Sequence, residues 1–294
     1  MKDGSMANDS VAGQIQEIWR YPVKSMRGER MDAAHLTATG LLGDRGWATR
    51  DERRGGIRGA KKIRDLMLCA ATYVAEPTPD SPTPHVVMRL PDGSAVRSDD
   101  SDAATRLSRA INHPVTLWPL QPADDLDHYR RGPADHEDVV EELRDIFGRG
   151  EDEPLPDLSG LPPVIFEFES PPGTYYDAYP VHIVTTATLR TLGRLGERDA
   201  PDVRRFRPTI LVDTPDADGF PERDWIGSTV RVGEVEIEVV TDCPRCSMVQ
   251  LPQQGLPADK PLLRTVVRDA NQNVGVYCNV RTPGRISVGD SLTR

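Results

Sequence analysis

The stretch Thr241-Asp-Cys-Pro-Arg-Cys-Ser-Met-Val-Gln-Leu-Pro252 sets Cys243 and Cys246 on either side of a Pro-Arg pair. A Cys-x-x-Cys turn can be half of a structural zinc site. Zinc takes four ligands, however, and Cys69 and Cys278 stand alone, so no second close pair is offered. A redox dithiol would want the motif at a helix N-terminus in a βαβ unit, whereas here it follows alternating valines and acids and precedes Gln250-Leu251-Pro252. Two packed loop cysteines are a further reading, since free Cys is commonly buried. Arg245 adds a fourth: a cation beside Cys246 favours the thiolate, which is both a nucleophile and a soft metal ligand.

Other chemistry-bearing groups are more dispersed. Asp124, Asp125, Asp127, His128, Asp135, His136 and Glu137 form an acidic, His-containing patch without ligand spacing, which reads as an exposed loop and helix start. His182 reads as a strand histidine satisfied by its neighbours. Asp177, in Tyr-Tyr-Asp-Ala-Tyr-Pro, could line a pocket beside the Thr185 segment. No Ser-His-Asp order, Walker loop or strand-borne Gly-x-Gly-x-x-Gly occurs.

The elements that must position these groups are mostly short strands. Gly13 to Ser25 alternates until Pro22 stops it, and Gly40 to Arg50 reads as a Gly-rich turn feeding a strand. Leu66–Val74, Val86–Arg97 around an Asp92-Gly93 turn, and Val115–Leu120 read as strands, with a short helix over 101–111. Val139, Val140, Leu143, Ile146 and Phe147 make one helical stripe that Gly148 stops. Residues 150–174 are Pro-rich and acidic, an irregular connection. A strand at Val181–Val184 then runs into a helix capped by Thr185 or Thr186, and Arg207–Asp213 supplies another strand. Val230–Val240 alternates around Gly233-Glu234, and Gly275–Asp290 reads as a final hairpin. Strands at this density predict a closed or nearly closed barrel.

Composition sets the boundaries. The 294 residues suffice for a large core, and a net charge of −10 argues against general nucleic-acid or anionic-membrane binding. No apolar run reaches the roughly 20 residues of a membrane span. The first residues lack an apolar signal core, and Gly4-Ser5-Met6 reads as an expression-tag scar. Four scattered cysteines fit no disulfide framework, so a reducing cytoplasm is expected.

Four short motifs give the chain a likeness. Tyr21-Pro-Val-Lys-Ser25, then Gly40-Leu-Leu-Gly-Asp-Arg-Gly-Trp47, Arg205-Phe-Arg-Pro208 and Arg245-Cys246, with Val288-Gly-Asp290 near the end, resemble the MOSC family in content and order. The resemblance implies an α+β fold: a MOSC-type β-barrel with an inserted small α/β N-terminal region. The division it suggests is tag remnant and tail over 1–12, a first barrel segment over 13–54 and the α/β region over 55–125. A helix and acidic connection over 126–174 and the main barrel over 175–294 complete it. The implied cofactor is molybdenum-molybdopterin, with Cys246 as the thiolate ligand to the metal. Its phosphate needs positive donors, and Lys24, Arg45, Arg207 and Arg245 are the cations the motifs would gather. Ser25, Thr185, Thr186 and Thr209 would add hydroxyls, and the helix beginning near Thr186 free N–H groups. Asp177 is a further candidate for the catalytic site.

The implied activity is reduction of an N-hydroxylated or N-oxide small molecule by oxygen-atom transfer. A carrier of sulfur or cofactor using Cys246, or a barrel that has lost the metal, are the alternatives. The family's Phe-Arg-Pro-Asn is Phe206-Arg-Pro-Thr209 here, and Val249 stands where the family commonly has a Thr after Arg-Cys. Neither an iron–sulfur cysteine run nor a dinucleotide fingerprint is present, so the electrons are expected from a separate ferredoxin or flavin reductase.

Overall fold

A computed structural model describes residues 10–294; Gly4-Ser5-Met6, read above as a tag scar, lie outside the described residues. In chain order the first strands are β1 (Val11–Arg20), β2 (Glu29–Met31), β3 (Ala33–Thr37), β4 (Gly40–Leu41) and β5 (Trp47–Asp51). Then come β6 (Ala70–Tyr73), β7 (Val86–Arg89), β8 (Ala95–Arg97), helix α1 (Ala103–Ala110) and β9 (Val115–Pro119). Three helices, α2 (Leu126–Tyr129), α3 (Val139–Phe147) and α4 (Val164–Glu167), lie in the connection. The remainder is β10 (Val181–Thr185), α5 (Thr186–Leu195), β11 (Ile210–Asp213), β12 (Thr229–Val232), β13 (Val235–Pro244), α6 (Lys260–Asp269), β14 (Asn273–Thr282), β15 (Gly284–Ser287) and β16 (Ser291–Thr293).

Seven strands close into a barrel in the order β11-β10-β14-β13-β12-β16-β1, and β1 returns to β11. The closing pair is antiparallel, with Gln14 opposite Asp213 and Ile18 opposite Ile210. Period-two alternation fills the interior: Val235, Ile237 and Val239 of β13 meet Val276, Cys278 and Val280 of β14, with Val181, Ile183, Ile210 and Val212 opposite. The residues in between point outward. On one flank Val184, Leu211 and Val274 pack under α5 and α6 against Leu192, Leu262 and Val266. The α+β class expected from the sequence is therefore the observed one. A second core gathers the three-stranded sheet β6-β7-β8 and α1 around Leu66, Met88, Leu107 and Val115, and it takes in Cys246 and Met248 from the barrel's end.

Several local expectations hold and three need correction. Gly233, at φ +57°, makes the tight turn that pairs Val232 with Val235, and Gly148, at φ +64°, terminates α3. The final hairpin, by contrast, does not form. β14 pairs with β13 and β10, while β15 pairs with β3. Between them Pro283 has no N–H to extend a ladder, and Gly284 lies so close to Val235 that a Cβ would sit 2.8 Å from its methyl. The chain turns a corner instead of reversing. The strand expected from Leu66 begins only at Ala70, because Arg64–Leu68 forms a 3-10 turn. Finally, the α3 stripe is only half used: Phe147 is buried, whereas Val139 is 70% and Val140 48% exposed.

One buried carboxylate ties the barrel to α5. Glu222 is fully buried, and the hydroxyls of Thr185 and Thr188 donate to it at 2.7 Å. Burial raises its pKa above the ordinary glutamate range despite those bonds. A raised folded-state pKa gives stability that is full below the unfolded value and is lost as pH rises through the folded one. Glu222→Gln, a permanent mimic of the protonated acid, is therefore expected to melt at or above the wild-type temperature at pH 8. That advantage should shrink towards pH 5. Melting curves across this range check it, and a variant uniformly less stable than wild type contradicts it.

Candidate functional site

One end of the barrel opens into a cleft of about 440 Å³. Strand closure brings its first walls together. Just past β1, Tyr21 donates from its backbone N–H to Asp44 at 2.8 Å, and its hydroxyl donates to the Pro208 carbonyl at 3.0 Å. Its ring lies between two guanidinium groups, Arg207 at 4.2 Å and Arg45 at 5.0 Å from the centroid. A desolvated aromatic face holds such cations without neutralising them. Arg45 also pairs with Asp44, and Arg207 donates to the Met26 carbonyl at 2.8 Å. Burial pushes the Arg207 pKa down to about 10, which still leaves it charged at neutral pH.

Backbone strain marks the same residues. Ser25, Arg45 and Arg207 have φ of +69°, +51° and +54°, a region that favours glycine. All three line the cleft. Residues held so are over-determined by their surroundings and cluster at binding sites.

Lys24, Asp177 and Lys61 form the next element. Lys24 is buried, and its ammonium donates to Asp177 and the Tyr175 carbonyl at 2.7 Å and to the Ser170 hydroxyl at 3.2 Å. Lys61 approaches the other carboxylate oxygen at 3.0 Å. Burial alone would raise the Asp177 pKa, but the two lysines outweigh it and hold the carboxyl well below its usual range. The same burial pushes Lys24 down, whereas Asp177 and the neighbouring Cys246 help push Lys61 up.

The cysteines come from the end of β13, where the ladder to β14 slips at Val239–Thr241 and again at Asp242–Pro244. Such bulges re-aim a strand end. Cys246 then caps a 3-10 turn over Ser247–Gln250 and lines the cleft at 8% exposure. Arg245 lies near both cysteines: its guanidinium donates to the Cys243 sulfur at 2.8 Å and to the Phe206 carbonyl at 2.9 Å, and Cys246 also acts on its charge. Cys243 lies in β13, which ends at Pro244, and Arg245 and Cys246 follow it into the turn. Burial pushes the Cys243 thiol up, with Arg245 opposing.

The cleft thus unites Lys24, Ser25, Arg45, Asp177, Arg207, Thr209, Arg245 and Cys246. Thr185 and Thr186 lie elsewhere. Thr185 caps α5 and binds Glu222, while Thr186 donates to Asp213 and accepts from the Thr214 N–H. The helix end expected to offer N–H groups is also closed, since Ala187 N–H goes to Thr214 and Thr188 N–H to Thr185. Within the cleft, Ser25 accepts from Ala60 N–H at 2.8 Å and Thr209 from His182 N–H at 3.2 Å. His182 also lines it, but its Nε2 donates to the Val274 carbonyl at 3.0 Å, and burial with Arg245 nearby drives its pKa down to about 3. It stays neutral, as a satisfied strand histidine. The acidic patch is less solvated than expected: His128 is buried against the Tyr175 hydroxyl, and Asp135 is paired with Arg54, Arg58 and Lys62.

Sequence reading missed Lys61 and Tyr277, both in the cleft. The signal for Lys61 was the basic run Arg53-Arg-Gly-Gly-Ile-Arg-Gly-Ala-Lys-Lys-Ile-Arg64 in an acidic chain. Tyr277 carries no such signal, being one outward residue of an alternating strand.

This geometry defines a barrel protein with a buried, cationic and thiol-bearing cleft at its end. The chain belongs to the MOSC family: residues 12–121 match the MOSC N-terminal beta barrel domain and residues 171–293 the MOSC domain. Along most of its length it is similar to mitochondrial amidoxime reducing component 2 of Bos taurus, 26% identical over 305 residues, covering 95% of this chain and 82% of the relative. It is likewise similar to the Homo sapiens protein of that name, at 25% over 303 residues, covering 96% and 83%.

Removing Asp177 would leave two neighbouring ammonium groups without their shared counter-charge. Because that carboxylate partly faces the cleft, Asp177→Ala is expected to cost about 1–2 kcal/mol, a loss of roughly 2–6 °C in melting temperature. The double variant Lys24→Met/Asp177→Ala should recover at least half. Thermal melts of the singles and the double check it, and additive losses contradict it.

Proposed function

We propose that this protein is a molybdenum-cofactor-dependent reductase of N-hydroxylated small molecules. The observation that carries the reading is the coincidence, in one cleft, of a soft ligand and anion donors with unspent capacity. Cys246 lines it, and the buried Arg207 Nη2 and Arg245 Nε have no hydrogen-bond partner. Buried guanidinium donors left so are costly unless a ligand completes them. The donor set therefore fits a molybdopterin: a thiolate for the metal and guanidinium groups for the phosphate and polar ring edges. Cys246 would hold the metal; Arg45, Arg207 and Arg245 would hold the anion, with Ser25 and Thr209 beside them. The activity in the relatives' names, amidoxime reduction, agrees with this set.

When bound, the cofactor supplies a two-electron centre able to accept oxygen from an N–O bond. An amidoxime then takes up two electrons and two protons and releases an amidine and water. The chain's own part is to bind, orient and keep water out. Lys24 is saturated by its three partners, so its role is to fix Asp177. Lys61, less enclosed and paired with Asp177 alone among the described residues, has its pKa pushed up and so stays charged, a cation placed to orient a polar substrate group at its Nζ. His182, neutral and donating to a backbone carbonyl, carries no proton in this cycle. Val249 is fully buried in the core between barrel and helices, so the missing hydroxyl at that position is not a gap in the cleft wall.

Protein from cells able to make the cofactor should contain molybdenum near one per chain. Cys246→Ser should lose the metal and the activity, because a hydroxyl is a harder, less acidic ligand. Cys243→Ser keeps an acceptor for Arg245 and should retain most of both. Zinc or no metal in the wild type, or equal losses in the two variants, sinks the reading.

Among the described residues no group of three or more His, Cys, Asp or Glu is placed to hold a metal ion, and no helix is long and apolar enough to cross a membrane. We assign the electrons to a separate donor, a ferredoxin or flavin reductase, docking transiently. Benzamidoxime turnover by the purified chain should proceed with dithionite and fail with NADPH alone. Efficient NADPH-driven turnover without an added protein contradicts this electron path.

A further inference from the structure

Behind the Cys246 turn lies a buried cation that does not itself line the cleft. Arg149 follows Gly148, the left-handed residue that ends α3, and is 6% exposed. Its guanidinium donates to the Gln272 Oε1 and to the Arg245 carbonyl, each at 2.9 Å, and to the Phe147 carbonyl. All of these acceptors are neutral. Among the described residues it forms no ion pair, and Glu153, whose charge acts on it, is taken by Arg264 and the Gly150 N–H. Burial pushes its pKa down to about 10, so it is charged at neutral pH. A desolvated charge with neutral partners is costly unless a negative group complements it. On the cleft side that group is Cys246, whose charge also acts on Arg149.

The bonds hold Arg245 from both sides. Its carbonyl shares a rigid peptide plane with the Cys246 N–H, and Arg149 donates to that carbonyl. At its other end, the Arg245 N–H donates to the Gln272 carbonyl at 2.9 Å. Gln272 reaches that point through two consecutive left-handed residues, Asn271 at φ +46° and Gln272 at +65°. Glycine would suit such backbone better, yet the Gln272 side chain is in use: Oε1 accepts from Arg149, and Nε2 donates to the Leu155 carbonyl at 3.2 Å. With both its backbone groups fixed, Arg245 has little freedom in φ and ψ. The directions of its side chain and of Cys246 are set with it.

We propose that Arg149 is a positioning residue: with the Gln272 carbonyl it clamps Arg245, so setting where the Arg245 guanidinium and the Cys246 sulfur are offered to a ligand, and it places a positive charge behind that sulfur. The clamp rests on these bonds alone; that the ligand it serves is a molybdenum centre rests on the reductase reading above. A purely packing role would ask only for Arg149's volume. The clamp asks for donors, and the charge for a cation.

Arg149→Met, Arg149→Gln and Arg149→Lys separate these roles. In the full-length unloaded protein, hydrogen exchange read by mass spectrometry should quicken about tenfold or more over 244–248 in Arg149→Met, the size expected for one charge-assisted bond. Strands β10 and β11 should keep their wild-type rates. Arg149→Lys keeps the charge but not the fork of donors, and should lie between the two. In the loaded protein the molybdenum midpoint potential should fall in Arg149→Met and Arg149→Gln, because loss of a positive charge favours the more oxidised metal. Arg149→Lys should stay near the wild-type potential. Unchanged exchange over 244–248 in Arg149→Met, or a lysine variant no better than methionine in both readings, overturns the proposal. Should melting curves show that Arg149→Met does not fold, Arg149→Gln is read in its place. A wild type without molybdenum sinks the reductase reading and leaves the clamp to the exchange rates, where local loosening still supports it. Molybdenum in the wild type, with unaltered exchange and potential in every variant, does the reverse.

Discussion

Closure of the barrel through β1 and β11 is the constraint on which the cleft depends. The two strands are about two hundred residues apart in sequence, yet they pair from Gln14–Asp213 to Ile18–Ile210. The ladder continues into the loops, where Trp19 N–H reaches the Thr209 carbonyl at 2.9 Å and the Tyr21 hydroxyl reaches Pro208. The residues just after β1 and just before β11 are therefore delivered to one place. A slip of one residue would turn Ile15 and Ile18 out of the core and carry Lys24 and Arg207 away from each other. Fold specificity and site geometry are the same hydrogen-bond register seen from two ends.

Electrostatics then decides what the delivered residues can do. A chain of net charge −10 has gathered the buried Lys24, Arg207 and Arg245 and the half-buried Arg45 within one cleft. Desolvation would release their protons or expel them, so each is held by a different device: a shared carboxylate for the lysines, an aromatic face for Arg45 and Arg207, a sulfur and a carbonyl for Arg245. The result is a local positive field inside an acidic molecule. Net charge excluded polyanions as general partners without excluding one small anion.

Much of this was legible from residue order because the cleft is built from contiguous peptides at strand ends. Tyr21–Ser25, Asp44-Arg45 and Phe206–Thr209 each supply a turn and its side chains together, so a short motif carries both. Thr185 and Thr186 misled for the opposite reason. A hydroxyl at a helix start looks available in sequence, but Glu222, Asp213 and Thr214 reach it through the fold. The bond from Arg245 to Cys243 also escaped, because the turn after β13 and not adjacency in sequence sets which sulfur its guanidinium reaches. Lys61 was hidden at the start of the segment read as the inserted α/β region, and its place in the cleft arises only when the fold brings Asp177 to it.

The left-handed backbone at Ser25, Arg45 and Arg207 has a consequence for how this chain can drift. Each non-glycine residue so placed costs on the order of 1–3 kcal/mol, and glycine would relieve it. A purely structural selection, acting on expression or heat resistance, would thus enrich glycine at these three positions. Only a requirement for the side chain resists that pull. The positions act as a record of use: a lineage that abandoned its ligand would be expected to lose these residues before it lost the barrel.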